Sequence, residues 1–206
     1  LLESLTGDKG ATLLSVMDRT VTAVGGRLLA GRVASPLVDL PEINQRLDVI
    51  EFFINHPRLR EDFRDLLKSC PDMERAVSRL SLGRGGPRDL ANIKTTLSVI
   101  PQLKILLAGF NQTAGASVEQ ELPAAVAAIM KRLGFHETMV DTFERALAEE
   151  LPLLARDGGF IRPGYYPPLD AVKEMKEDSH KLILELQNKY AEAVNIPNLK
   201  IKYNNV

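Results

Sequence analysis

Apolar residues recur at helical spacing along almost the whole chain, and prolines divide this pattern into segments. Ile43, Leu47, Ile50 and Ile54 follow one another at intervals of four, three and four residues. Similar stripes follow Pro57, Pro71 and Pro87; in chain order they are Leu59, Phe63, Leu66, Leu67 and Cys70, then Met73, Ala76, Val77 and Leu80, then Leu90, Ile93 and Leu97. Because such spacing places side chains on one face of an α-helix, the sequence predicts an all-α fold with a multi-helix core bundle.

A single long helix is predicted near the end of the chain, from about Leu169 to Val194, with Pro197 preventing its continuation. At ~1.5 Å per residue it would be about 40 Å long. Its apolar stripe has spacing close to that of a coiled-coil seam. The stripe consists of Leu169, Val172, Met175, Ser179, Leu182, Leu186 and Tyr190.

The remaining segments complete a division into four predicted parts. Residues 1–110 form the core helical cluster, in which Pro101 is predicted to end or kink the helix that begins at Pro87. The polar stretch from Gly109 to Ser117 is predicted to be a loop. It leads into a second part, 111–167, with helices near 123–134 and 137–150 and an ordered loop rich in glycine and proline. Residues 168–197 are the long helix, and 198–206 begin a further domain with a short strand.

Charge and cysteine content narrow the functional classes. The 26 Lys and Arg nearly balance 27 Asp and Glu, so no overall field favours nucleic acid or an acidic membrane. Cys70 is the only cysteine, which excludes an intrachain disulfide and suits a reducing, cytoplasmic location. No apolar run approaches the ~18 residues of a membrane-spanning helix. Because the chain begins at Leu1 rather than Met and ends in an apparent strand, we expect it to be part of a longer protein.

No catalytic, cofactor-binding or metal-binding residue is predicted. His56, His136 and His180 are dispersed and lack partners at ligand spacing, whereas a zinc site needs three or four converging ligands. Cys70 lies on the apolar stripe with Phe63, which favours a structural thiol over a nucleophile. The many carboxylates lie on mixed-charge helical faces, where solvation explains them.

Two glycine-rich segments and two arginines leave alternatives open. Gly7–Thr12 and Gly83–Arg88 combine glycine with a cation, but neither has the spacing of a nucleotide-binding P-loop. For Gly83–Arg88 a helix–helix connection is favoured. An anion site stays a possible alternative, because Arg84 and Arg88 could bind an anion there. Arg75 and Arg79 share one helical face, where structural ion pairs are favoured over contacts with DNA phosphate.

Three motifs follow one another along the chain. The first begins at Thr22–Leu29, which reads as a helix with a close-approach pair, Gly25 and Gly26. It continues through Ser35–Leu37, where Pro36 breaks the helix, to Ile43–Asp48 in a second helix, which Asp39 opens with Glu42 placed as in a capping box. The second runs from Asp72–Arg75 through Arg79 to Pro87–Leu90. The third runs from Arg156–Gly159 through Gly164-Tyr165 to Leu169-Asp170.

Together these motifs resemble the core, or lever, region of the MutS family of DNA mismatch-repair proteins, and Leu199–Val206 is similar to the strand that opens the family's clamp. One departure is Arg32, where many members carry tryptophan. The resemblance implies a parent protein that is a dimeric, magnesium- and ATP-dependent clamp on mismatched double-stranded DNA and recruits downstream repair factors. This chain would be its core, lever helix and first clamp strand, coupling ATPase and clamp mechanically without an ATPase site of its own.

Two further expectations come from the resemblance. Phe135-His-Glu137 has the form of the family's mismatch-reading Phe-x-Glu element, but that element belongs to an N-terminal domain, so we interpret the match as coincidence. In the family a second long helix returns along the lever. Without that partner, self-association is expected through Val172, Met175, Leu182, Leu186 and Tyr190.

Two rival functions remain at the level of sequence. A helical protein–protein interaction module unrelated to repair would show the same amphipathic helices and the same lack of an active site. An autonomous helical DNA-binding domain would need a positive face, which the local charge count does not show.

Overall fold

The computed structural model describes Leu2 and residues 12–113, 122–196 and 199–201, with the backbone alone at 111–113. None of these residues lies in an extended strand, so the all-α prediction is confirmed for them. A 3-10 turn occupies Ala155–Asp157. The helices are α1 (Leu13–Met17), α2 (Ala23–Ala34), α3 (Leu40–Asn55), α4 (Pro57–Lys68), α5 (Met73–Ser81), α6 (Pro87–Thr113), α7 (Ala124–Arg132), α8 (Glu137–Ala146) and α9 (Pro167–Ala193).

The predicted start of α3 at Asp39 is confirmed, and α2 has a cap that was not predicted. The Thr22 hydroxyl accepts a hydrogen bond from the Gly25 amide at 3.0 Å, which caps α2. At α3 the Asp39 carboxylate accepts from the Glu42 amide at 3.1 Å. A Cβ on Gly25 would lie 2.9 Å from the Thr22 hydroxyl oxygen. The predicted close approach at this glycine is therefore between α2 and its own cap.

The described chain forms two compact units, Leu1–Phe160 and Ile161–Val206. In the first unit the core cluster joins four helices through Phe52, Leu59, Leu107 and Val126, with Phe110 edge-on to Phe52 at 5.2 Å between ring centroids. Helix α6 packs against α4, α5 and α8. It is therefore the central helix of this unit.

Helix α6 continues through Pro101 to Thr113, so the prediction that Pro101 ends the helix is wrong, and the loop predicted from Gly109 begins no earlier than residue 114. The alternative that Pro101 kinks α6 stays a prediction. Proline costs one intrahelical hydrogen bond, and the packing of α6 against three neighbouring helices outweighs that loss. Residues 114–121 lie outside the described part of the chain.

Helix α6 is also apolar and long enough, over Pro87–Phe110, to meet the length and hydropathy expected of a membrane span. The sequence analysis counted only uninterrupted apolar runs, and Lys94 and Lys104 interrupt this one. The core helix of a water-soluble domain satisfies the same measure, and α6 supplies Leu97, Val99, Ile100, Leu103 and Leu107 to the buried core. We therefore interpret α6 as a core helix.

The apolar stripe predicted on α3 is largely exposed. Leu47, Ile50 and Ile54 are each more than half exposed, whereas Phe52 is buried and Phe53 packs beside it. Helix α3 has apolar residues on more than one face, and its contacts with α4 and α7 select the face that carries Phe52. The helix itself is confirmed, and the face that it buries is not the one that carries this stripe.

The second unit contains α9, which runs for 27 residues as one uninterrupted helix and confirms the long-helix prediction. The strand predicted at Leu199–Val206 is not found at 199–201, and residues 202–206 lie outside the described residues. The Ile201 amide instead donates a hydrogen bond to the Gln187 side chain at 3.0 Å.

Candidate functional site

The structure joins the first two sequence motifs through one arginine. The Arg27 guanidinium donates two hydrogen bonds to the Asp72 carboxylate, Nη1 to Oδ2 at 2.6 Å and Nη2 to Oδ1 at 2.9 Å. It also contacts Glu74 at 2.6 Å. A planar guanidinium that faces a carboxylate with two parallel bonds fixes both position and orientation. The pair therefore fastens α2 to the start of α5.

Asp72 has a second role, because it is also the N-cap of α5. Its carboxylate accepts a hydrogen bond from the Arg75 amide at 3.2 Å, and the Arg75 guanidinium lies 3.5 Å away. The hydrogen bonds from Arg27 are the main reason that the pKa of Asp72 falls from 3.8 to about 2. The same contacts raise the pKa of Arg27 above its ordinary value. Asp72 is therefore ionised at neutral pH and held by two helices.

The other end of α5 is fastened to α6 in a similar way. Arg79 lies 3.4 Å from the carboxylate of Asp89, which is only 7% exposed. Asp89 also accepts a hydrogen bond from the Gly86 amide at 2.8 Å. From the sequence, Arg75 and Arg79 could either form ion pairs or contact phosphate. In the structure both face carboxylates of their own chain.

The Gly83–Arg88 segment is a helix–helix connection, as sequence favoured. Gly83 has a φ of +67°, and a Cβ on Gly85 would lie 2.5 Å from the Leu80 side chain. Pro87 is fully buried at the start of α6. The Arg88 guanidinium donates to the Leu151 carbonyl at 3.1 Å. Tight packing and a protein partner for Arg88 argue against an anion site here.

The part of the third motif that lies in the second unit is organised around another aspartate. The Asp170 carboxylate, in the first turn of α9, accepts a hydrogen bond from the Gly164 amide at 2.8 Å. An acidic side chain at this end also opposes the positive pole of the helix dipole. The Lys173 ammonium contacts the Ile161 carbonyl at 3.4 Å. These contacts fix the start of α9 to the loop before it.

Beyond that start, α9 presents an exposed apolar seam. The five residues expected to take part in self-association are exposed by 44–68%: Val172, Met175, Leu182, Leu186 and Tyr190. Apolar side chains that recur on one face and are open to solvent mark a surface suited to a partner. The expected exposure of this seam is confirmed.

Residues considered for catalysis occupy structural positions. His56 Nδ1 lies 2.7 Å from the Phe52 carbonyl, and its ring centroid is 4.6 Å from those of Phe52 and Phe110. Cys70 is half-buried, and burial raises the pKa of its thiol. The residues that the structure describes contain no group of three or more potential metal ligands.

Several other residues named from sequence have no catalytic arrangement around them. Thr12, at the end of Gly7–Thr12, caps α1 by accepting from the Ser15 amide at 3.0 Å, while residues 3–11 lie outside the described chain. Phe135 is 82% exposed. His136 and His180 belong to different units.

The roles of Arg27 and Asp89 were not predicted from the sequence. Arg27 and Asp72 are 45 positions apart, so no local spacing connects them. A usable signal existed at Asp89 and Asp72, because an aspartate in or just before the first turn of a proline-marked helix favours capping.

Acidification should test the Arg27–Asp72 pair. Because the folded-state pKa of Asp72 is depressed, its contribution to stability is present above the unfolded value of 3.8 and is lost as pH falls through about 2. We expect Asp72→Asn to lower the urea midpoint at neutral pH and to reduce the further loss between pH 4 and 2. Asp65→Asn, which breaks the exposed Lys68–Asp65 pair, should change little. Equal effects of the two substitutions would contradict the assigned role of Asp72.

The comparisons with known proteins agree with one another. A family model described as MutS domain III matches residues 1–200. Over 206 residues the chain is 43% identical to the DNA mismatch repair protein MutS of Rhodopseudomonas palustris strain BisA53, and 45% identical to that of Rhizobium meliloti strain 1021. It is 44% identical to the MutS protein of Ruegeria pomeroyi. All of this chain is covered in each case, and it spans 22% of the length of each relative.

Proposed function

This chain belongs to the MutS family of DNA mismatch-repair proteins, in which it corresponds to domain III, and we propose that it is the core and lever of a longer protein. Its task is to couple an ATPase to a DNA clamp by rigid-body motion. The observation that carries the proposal is α9, an uninterrupted helix of 27 residues that is fixed at its start by Asp170. A helix of this length transmits displacement because each of its turns is hydrogen-bonded to the next.

The core junction supports the same role. The Arg27–Asp72 and Arg79–Asp89 pairs fasten α2, α5 and α6 to one another. Charge-assisted and bidentate contacts of this kind fix orientation as well as distance. A core that resists deformation suits a part that passes on motion.

We propose that segments outside this chain carry the activity of the whole protein. The named relatives are DNA mismatch repair proteins. We therefore propose mismatched double-stranded DNA, a second MutS subunit and downstream repair factors as partners of the longer protein. ATP and magnesium would be its cofactors and the cytoplasm its location.

Membership of the family sets aside an interaction module unrelated to repair. An autonomous DNA-binding role also has little support, because Arg75 and Arg79 already face carboxylates. Interaction through the α9 seam remains part of the proposal: the chain on its own self-associates along Val172, Met175, Leu182, Leu186 and Tyr190.

The test is to soften α9 inside a full-length MutS protein that carries this chain. Glu177→Gly with Asp178→Gly places two glycines at exposed positions in mid-helix, each costing about 1 kcal/mol relative to alanine. We expect ATP hydrolysis without DNA to persist and its stimulation by mismatched DNA to fall about tenfold, equivalent to ~1.4 kcal/mol of coupling. Steady-state hydrolysis with and without duplex measures both.

The matched control is Glu177→Ala with Asp178→Ala, which removes the same side chains but keeps helix propensity. Unchanged stimulation in the glycine variant, or equal loss in both variants, would refute the lever role. The chain alone should give a flat calorimetric titration with Mg·ATP. In a mobility-shift assay it should bind matched and mismatched duplex equally and weakly, because its sequence has no P-loop motif and only ten Lys or Arg against six Asp or Glu over residues 57–104.

A further inference from the structure

A groove between α6 and α8 in the first unit takes no part in the proposed lever function. It encloses about 310 Å³. Its apolar floor comes from Leu97, Ile100 and Pro101 of α6 and Val140 of α8. Ligand sites in proteins start at about 300 Å³. The groove is thus large enough for one or two side chains of a bound segment.

One rim of the groove is acidic. Glu137, Asp141 and Glu144 line it, and their spacing of four and three residues puts them on one face of α8. All three are exposed. Asp141 forms an ion pair with Arg145 at 2.9 Å, in which both side chains are more than 60% exposed. An exposed pair of this kind adds little, so a competing cation can displace it.

The single Lys among the lining residues is engaged with the protein itself. The Lys104 ammonium donates to the Gly134 carbonyl at 2.8 Å and lies 3.8 Å from the centroid of the Phe135 ring. The lining also contains three carboxylates, so its formal charge is minus two when His136 is counted as neutral. The Lys104 contacts also hold Phe135 at the edge of the groove, where 82% of it remains exposed.

The charges of the lining favour a positively charged ligand. Its three carboxylates outnumber its one ammonium group, and opposite charge across an interface steers a ligand and fixes its register.

We propose that this groove binds a short basic peptide segment of a partner protein. An apolar side chain of that segment occupies the floor and contacts Phe135. Its neighbouring Lys or Arg side chains pair with Glu137, Asp141 and Glu144. Amphipathic segments are recognised in this way when an apolar anchor enters a groove and charges on the rim set the register.

The probe is a fluorescently labelled peptide in which leucine recurs at every third or fourth position among lysines. Binding is followed by anisotropy at low and high salt. All proteins carry Leu182→Glu and Leu186→Glu, so that the α9 seam does not compete for the peptide. We expect saturable binding that weakens with salt, and none for the same peptide with glutamate in place of lysine.

Two independent variants test the groove. Glu137→Gln, Asp141→Asn and Glu144→Gln together should weaken binding about tenfold at low salt. The matched control changes three exposed carboxylates elsewhere, Glu61→Gln, Glu149→Gln and Glu150→Gln, and should stay within about twofold. Phe135→Ala leaves the charge unchanged and removes an exposed side chain, so the fold persists. It should weaken binding about fivefold at both salt concentrations, since an aromatic side chain is a frequent anchor.

Equal weakening by the groove and control carboxylate variants would show non-specific attraction and overturn the proposal. An unaffected Phe135→Ala variant would also overturn it, since the groove would then make no apolar contact. Loss of peptide binding when the chain is part of a longer MutS protein would assign the groove to an internal segment instead of a partner. None of these outcomes bears on the lever role, which is tested through α9.

Discussion

The Leu182→Glu, Leu186→Glu variant should remain monomeric at concentrations where the unmodified chain associates. In the structure Leu182 is 65% and Leu186 44% exposed on the seam of α9. At about 25 cal/mol per Å², each ~100 Å² of apolar surface that association removes from water contributes ~2.5 kcal/mol before the costs of association. Two carboxylates on the same seam would have to be buried without partners, which is strongly unfavourable.

Light scattering and sedimentation at several concentrations measure the effect. We expect the double variant to weaken association on the order of 100-fold or more, equivalent to ~2.7 kcal/mol. The matched control is Lys181→Glu with Asn188→Glu, which adds negative charge to exposed positions on the other side of α9. That variant should associate like the unmodified chain. A monomeric unmodified chain at high concentration would contradict the prediction.

Leu107→Ala should destabilise the first unit by about 2–5 kcal/mol, as expected for a leucine truncated in a packed core. Leu107 is 3% exposed and belongs to the cluster with Phe52, Leu59 and Val126. The substitution therefore opens a cavity where α3, α4, α6 and α7 meet. Chemical denaturation followed by far-ultraviolet circular dichroism gives the change in the free energy of unfolding.

Ile105→Ala is the control for this substitution. Ile105 lies on the same helix and is 68% exposed, so its truncation leaves no cavity and should cost at most about 0.5 kcal/mol. Comparable losses for the two variants would mean that α6 does not bury the face that the structure shows.

Helix starts and helix lengths that depend on neighbouring residues were predicted well from the sequence. The start of α3 follows from Asp39, because a cap depends on a residue three positions away. The length of α9 follows from an apolar repeat between two prolines. The family resemblance rested on motifs whose aspartates prove to be structural anchors, Asp72, Asp89 and Asp170.

What sequence could not predict depends on contacts between distant parts of the chain. Helix α3 has more than one apolar face, and only its packing against α4 and α7 decides that Phe52 is buried while Ile50 remains exposed. Pro101 reads locally as a break, yet surrounding helices keep α6 continuous. The Arg27–Asp72 pair spans 45 positions, and the groove beside α8 exists only once α6 and α8 have packed.

Because ion pairs hold both ends of α5, this helix tolerates few insertions or deletions. Asp72 and Arg79 are seven residues apart, close to two turns, so both charges fall near one side of the helix. Inserting or deleting one residue between them would rotate Arg79 by about 100° relative to Asp72, and one of the two ion pairs would be lost. Charge pairing thus restricts insertions and deletions in α5, a helix in which only Ala76 is buried.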